Sequence, residues 1–97
     1  SDARLKDNIV DSKYGLATVL QLRSVEYDKK ADGKHDVGLI AQEVEQVIPE
    51  LVNKTNDDDE WRSLNYTGLI PVLIEAVKEL KEQLDDAKAE IQILKAK

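Results

Sequence analysis

Two side chains at the front of the chain can do covalent chemistry. Ser1 carries a hydroxyl that becomes a nucleophile when a base takes its proton, and Lys6 can be that base where burial or a neighbouring cation lowers its pKa. Reach sets the condition. Were residues 1 to 6 extended, the two Cα atoms would lie roughly 17 Å apart, beyond contact. Wound as a helix, the same five steps rise only about 7.5 Å, but they place the two residues about 140° apart round the axis. The pair therefore needs Ser1 as a cap, or just ahead of a helix, with the Lys6 stem folded back; a neighbouring chain is the other source of the lysine. On spacing alone the ordinary reading, an N-cap serine and a surface lysine, outweighs the catalytic one.

Other polar candidates carry weaker signals. His35, the single histidine, is read as a turn residue with a partly satisfied ring, with a bond to the Ser1 region as the alternative. Asp57-Asp58-Asp59-Glu60 lacks the alternating ligands and the Gly of a calcium loop, so it reads as a solvated turn. Gln42, Glu43 and Glu45 either bind another chain or form salt bridges within their own domain. Tyr27, Trp61 and Tyr66 read as core.

The elements that must position these residues follow from pattern. Ser1 or Asp2 ahead of Ala-Arg-Leu-Lys predicts a cap and one or two helical turns. Ser12 is a second cap candidate, ahead of Leu16, Ala17 and Leu20 at helical spacing. Ser24 to Asp28 alternates as a strand, Asp28 to Gly33 is a polar turn, and Val37 to Ile40 is an apolar run, which together predict a hairpin. Ala41 to Val47 predicts a helix of about two turns that Pro49 ends. Leu51-Val52 and Trp61 to Tyr66 predict two more short strands around an Asp-rich turn. Thr67-Gly68 leads into a long helix with Pro71 in its first turn, where a missing N–H costs least.

That last helix organises the chain. Ile70, Val77, Leu84 and Ile91 at a, with Leu73, Leu80, Ala87 and Leu94 at d, form four heptads in register. No second segment is long enough to cover this seam, so it predicts a parallel coiled coil with other copies. The alternative, for the N-terminal half of the helix only, is packing on its own domain. Residues at a and d exclude neither two strands nor three. Leu69, Ile74 and Ala76 widen the apolar face at the top, which predicts that the helix meets the rest of the domain there. The fold class is α+β: a head of short helices and β-hairpins over residues 1–68, and a coiled-coil helix over 69–97, as one folding unit.

Composition narrows the function classes. A net charge of −6 argues against a nucleic-acid surface. No apolar run approaches the ~18 residues of a membrane span. There is no cysteine, hence no disulfide framework or thiolate metal site, and one histidine lowers the odds of zinc. Neither cofactor nor metal is expected. The chain lacks methionine, which reads as a processed fragment or a piece of something larger.

Three stretches in order resemble one family. Ser1-Asp2-Ala3-Arg4-Leu5-Lys6-Asp7-Asn8-Ile9 resembles the leading motif of the intramolecular chaperone domain of bacteriophage tailspikes, tail fibres and neck appendages, the endosialidase type, which the animal myelin regulatory factor also carries. Gly38-Leu39-Ile40-Ala41-Gln42-Glu43-Val44-Glu45, followed by Ile48-Pro49-Glu50-Leu51-Val52, is similar to its central signature. Leu64 to Leu80 is similar to its closing motif, which runs into a coiled coil. Each motif alone is modest; the three in sequence are specific.

The resemblance implies a homotrimer that templates a β-rich fibre upstream in the same precursor, in the cytoplasm of an infected bacterium, and then cuts itself off just before Ser1. It implies Ser1 as nucleophile and Lys6 as base and later acid: a single-turnover serine endopeptidase acting on its own precursor. Two other classes stay open. One is a non-catalytic trimerisation cap or receptor-binding tip. The other is a signalling or transcription adaptor with a dimeric coil, which accounts for neither the leading motif nor the acidic charge.

Overall fold

The longest apolar period in the chain becomes its longest element. A computed structural model describes all 97 residues, and in it helix α3 runs Leu69–Lys95. Its start is prepared by one 3-10 turn, Tyr66–Gly68, which Asn65 caps: the Asn65 side chain accepts from the Gly68 N–H at 3.3 Å. Ahead of it come α1 (Leu16–Val19), β1 (Val25–Asp28), β2 (His35–Gly38), α2 (Ala41–Val47), a 3-10 turn at Pro49–Leu51, β3 (Val52–Lys54) and β4 (Arg62–Leu64). The head is thus α+β, as its alternating and helical spacings predict.

The strands make two separate antiparallel hairpins. β1 pairs with β2 in a register that sets Val25 opposite Gly38 and Asp28 opposite His35. Its turn closes with the Lys29 N–H donating to the Lys34 carbonyl at 2.9 Å, and Gly33 supplies the left-handed residue at φ 72°. β3 pairs with β4, with Val52 opposite Leu64. An isolated two-stranded hairpin is marginal in water, so each needs other elements to lean on. α2 supplies that support for the second: it packs on both β3 and β4.

The core is small. Val44 and Ile48, each 1 % exposed, join Leu51 and Val72, so α2, the turn after it and α3 meet at one point. α1 packs along α3 as well. Only seven of 97 residues are buried, and this decides the shape: the head is too small to cover its helix. From Lys81 onward every residue of α3 is exposed. The radius of gyration is 18.8 Å, against about 12.5 Å for a compact chain of this length.

Several local expectations are corrected. The leading segment is capped by Asp2, one of the two candidates, but winds as a single 3-10 turn, Ala3–Leu5, rather than as α-helix. Ser12 caps no helix; its hydroxyl accepts from the Tyr14 N–H at 3.1 Å, and Gly15 precedes α1. Trp61 is 69 % exposed and Tyr66 is exposed too, so neither is core. Trp61 lies just before β4 and Tyr66 in the 3-10 turn after it, both outside the small core. His35 is a strand residue, not a turn residue. On α3 the head takes Leu69, Val72 and Ala76, while Ile74 stays exposed.

Candidate active site and association seam

The leading segment makes a tight turn that brings Lys6 back to the Ser1 backbone without pairing its amine with the Ser1 hydroxyl. The Asp2 carboxylate accepts from the Arg4 N–H at 2.8 Å and from the Arg4 guanidinium at 2.9 Å. That side-chain bond first, and the backbone bond second, hold the Asp2 carboxyl below its ordinary range. The tight turn leaves Ser1 just ahead of it. Lys6 is extended at φ −126°, and its stem folds back so that Nζ donates to the Ser1 carbonyl oxygen at 3.1 Å. Bond lengths within one residue put that oxygen at most about 3.6 Å from the Ser1 nitrogen, so the ammonium lies within about 7 Å of it. The contact is to the carbonyl and not to the hydroxyl. Residues 1–13 are all exposed, the apolar Leu5, Ile9 and Val10 included, and Asn8 bends the segment at φ 54°.

This arm is oriented at its root. The Tyr14 hydroxyl donates to the Glu50 carboxylate at 2.7 Å; the bond pushes the phenol up and the carboxyl down from their ordinary values. The Gly15 N–H donates to the Thr18 hydroxyl at 3.2 Å, with Thr18 buried. The Leu16 N–H donates to Glu79 Oε2 at 3.0 Å, so a carboxylate from α3 caps the first turn of α1, where amide donors lack partners. Sequence reasoning missed Tyr14, Glu50 and Glu79. Glu79 lies 63 residues from Leu16, and no local pattern spans that distance. The one available signal is Gly15, a glycine just ahead of helical spacing, because such a position marks a close approach.

The remaining candidates are tied up within the head. His35 sits between Glu26 (Nε2 to Oε1, 3.0 Å) and Asp28 (Nδ1 to Oδ1, 2.8 Å). Its pKa is raised, by the Glu26 bond first and the Asp28 bond second. Arg23 donates to Glu43 at 2.6 Å, and the charge-assisted bond holds that carboxyl down. Arg62 donates to Glu45 at 3.0 Å, with Lys54 at 3.7 Å. Glu43 and Glu45 therefore make salt bridges within their own domain. Asp57 accepts from the Thr55 hydroxyl at 2.7 Å inside the acidic turn. Trp61 lines an open groove with Tyr27, Leu39, Ile40, Leu64 and Tyr66.

The seam residues are all free. Ile70, Leu73, Val77, Leu80, Leu84, Ala87, Ile91 and Leu94 are exposed, Val77 by 64 %. Ile70, Leu73, Ile74 and Val77 line an apolar hollow on the helix surface. The head packs on the flank through Leu69, Val72, Ala76 and Glu79, centred about 110° round the helix from the seam. The N-terminal half of α3 does pack on its own domain, but through a different face.

Residues 1–53 match the model of a peptidase family described as Chaperone of endosialidase. The chain is 36% identical over 110 residues to the long tail fiber protein Gp37 of Salmonella phage S16, an alignment that covers 97% of this chain and 15% of that protein. Against the Gp37 of Enterobacteria phage M1 the identity is 32% over 96 residues, covering 91% of this chain and 38% of that protein. Against that of Escherichia phage AR1 it is 33% over 87 residues, covering 81% and 8%. The chain thus spans well under half the length of these relatives.

Proposed function

Because this chain belongs to the Chaperone of endosialidase family, we propose that it is the assembly segment of a phage fibre, one that trimerises, holds the fibre chains in register and then releases itself. Residues 1–68 act as the head and 69–97 as the coiled-coil helix of one folding unit. The carrying observation is the free seam: four heptads of exposed apolar side chains that the head leaves uncovered. Three copies joined along it would bring three fibre chains together at their ends. Non-local β pairing is slow and prone to aggregation, so early registration shortens the exposed stage. Assembly belongs to the cytoplasm of the infected host.

Release would run through Ser1 and Lys6. Ser1 Oγ attacks the carbonyl carbon of the preceding residue while Lys6, as a neutral amine, takes the hydroxyl proton. The C–N bond breaks and Lys6 returns that proton to the leaving nitrogen, which becomes the Ser1 amine. Water then hydrolyses the ester on Oγ and frees the fibre's new carboxylate. The fold-back of Lys6 onto Ser1 supports this assignment. Both residues are exposed in the single chain, so trimer packing is what would desolvate Lys6 and supply donors for the oxyanion. Once the template is gone, the fibre has no low-barrier route back.

The contact of Lys6 with the Ser1 carbonyl, not its hydroxyl, favours a second reading, a permanent non-catalytic cap or receptor-binding tip. Expression of the longer precursor separates the two. Wild type should split just before Ser1, read by intact mass, while Ser1→Ala and Lys6→Ala stay whole but assemble. Leu80→Asp should block assembly and cutting together. Precursors that all assemble and all remain whole would leave the cap.

A further inference from the structure

We infer that Glu79 is a positioning residue that ties the direction of the cleavage arm to the oligomer helix. The inference rests on the self-cleaving reading and deepens it. The arm, residues 1–13, is exposed throughout, so its course is set where it is rooted. Three side-chain bonds tie that root to residues further along the chain: Tyr14 to Glu50, Gly15 to Thr18, and Leu16 to Glu79. Two of them stay within the head. Only Glu79 belongs to α3, where it is half-buried one turn beyond the buried Ala76 and directly before the seam residue Leu80. A shift or rotation of α3 on joining other copies therefore reaches the root through this carboxylate.

Gly15 makes the approach feasible, and it is an independent observation. A Cβ there would collide with the Glu79 carboxylate. The carboxylate ends a flexible side chain, so the collision would be relieved by its moving off the Leu16 N–H rather than by a change of fold. Gly15 has φ −150°, outside the left-handed region, so its small size is what matters here. Gly15→Ala should accordingly act like Glu79→Ala although it lies 64 residues away in the chain.

The test uses the full precursor with Glu79→Ala, Glu79→Gln and Gly15→Ala, with assembly by light scattering, cutting by intact mass, and hydrogen exchange at the Gly15 and Leu16 amides. A displaced arm costs rate steeply, so Glu79→Ala and Gly15→Ala should assemble as wild type yet cut about tenfold slower or worse. Glu79→Gln, which keeps an acceptor oxygen, should remain within about threefold of wild type. Amide protection should fall in the two slow variants only. Cutting of Glu79→Ala at the wild-type rate would overturn the link alone. Loss of assembly in Glu79→Ala and Gly15→Ala would also overturn it, making the contact part of fold stability. An uncut wild type overturns the link and the cleavage reading together.

Discussion

The one imidazole of the chain lies across a strand pair from two carboxylates, Glu26 and Asp28, and its pKa is raised above the ordinary 6.5. A raised folded-state pKa means that the folded chain holds the proton more tightly than the unfolded one. The stabilisation is then complete below the unfolded value and is lost as pH rises through the folded value. Comparing wild type with His35→Gln, the melting-temperature difference should be largest between the carboxylate range, about pH 4, and about pH 6.5. Above the folded pKa it should vanish. A ring that titrates at or below 6.5 by NMR would remove the basis of this prediction. The sequence showed His35 but not its partners: opposite and diagonal neighbours depend on hairpin register, and a turn as long as Lys29 to Lys34 leaves register open. Ser1 and Lys6 were singled out by the resemblance of the leading motif; their spacing alone favours a cap serine and a surface lysine, and says only that contact within one chain needs the lysine stem folded back.

At the scale of elements, the join between the head and α3 turns on Gly68. Its φ of −65° suits any residue, and alanine there would gain roughly 0.4–1 kcal/mol by restricting the unfolded chain. A Cβ would, however, run into the Leu51 side chain, which is buried in the core beside Ile48. Overpacking of that kind costs about 1–3 kcal/mol, so the collision wins. Gly68→Ala should be less stable by about 1 kcal/mol in urea unfolding, the difference between these two effects. Equal or greater stability would mean that Leu51 swings aside cheaply. Ile48→Ala, at a site 1 % exposed, should cost about 2–5 kcal/mol in the same assay. The elements themselves were largely legible: alternation marked β1, an apolar run marked the strand it pairs with, two short apolar stretches marked β3 and β4, and Pro49 marked the end of α2. What pattern could not give was which residues lacked a covering layer. Trp61 and Tyr66 have the chemistry of core residues, but a head with one small core has no second layer to lay over them.

For the whole molecule, the heptad period marked the seam, but not the flank on which the head would sit. Leu69, Ile74 and Ala76 were equal candidates by hydropathy, and packing chose the flank that carries Val72 instead of Ile74. That choice has a consequence for assembly. With the head about 110° away, the whole a and d stripe stays open to other copies, and Ile74 at e widens it. Ala87 is the weak d position, since Leu occupies the other three. If the stripe is an interface, Ala87→Leu buries three further carbons per chain, worth about 2 kcal/mol, and should raise the melting temperature at fixed concentration. The wild-type melting temperature should itself rise with protein concentration, as mass action demands of an oligomer, and Leu80→Asp should abolish that dependence. If α3 works alone, Ala87→Leu adds one more exposed apolar side chain to a face that has no cover, and the melting temperature does not rise. The sign of this single substitution therefore separates a template built from several copies from a head with a free helix.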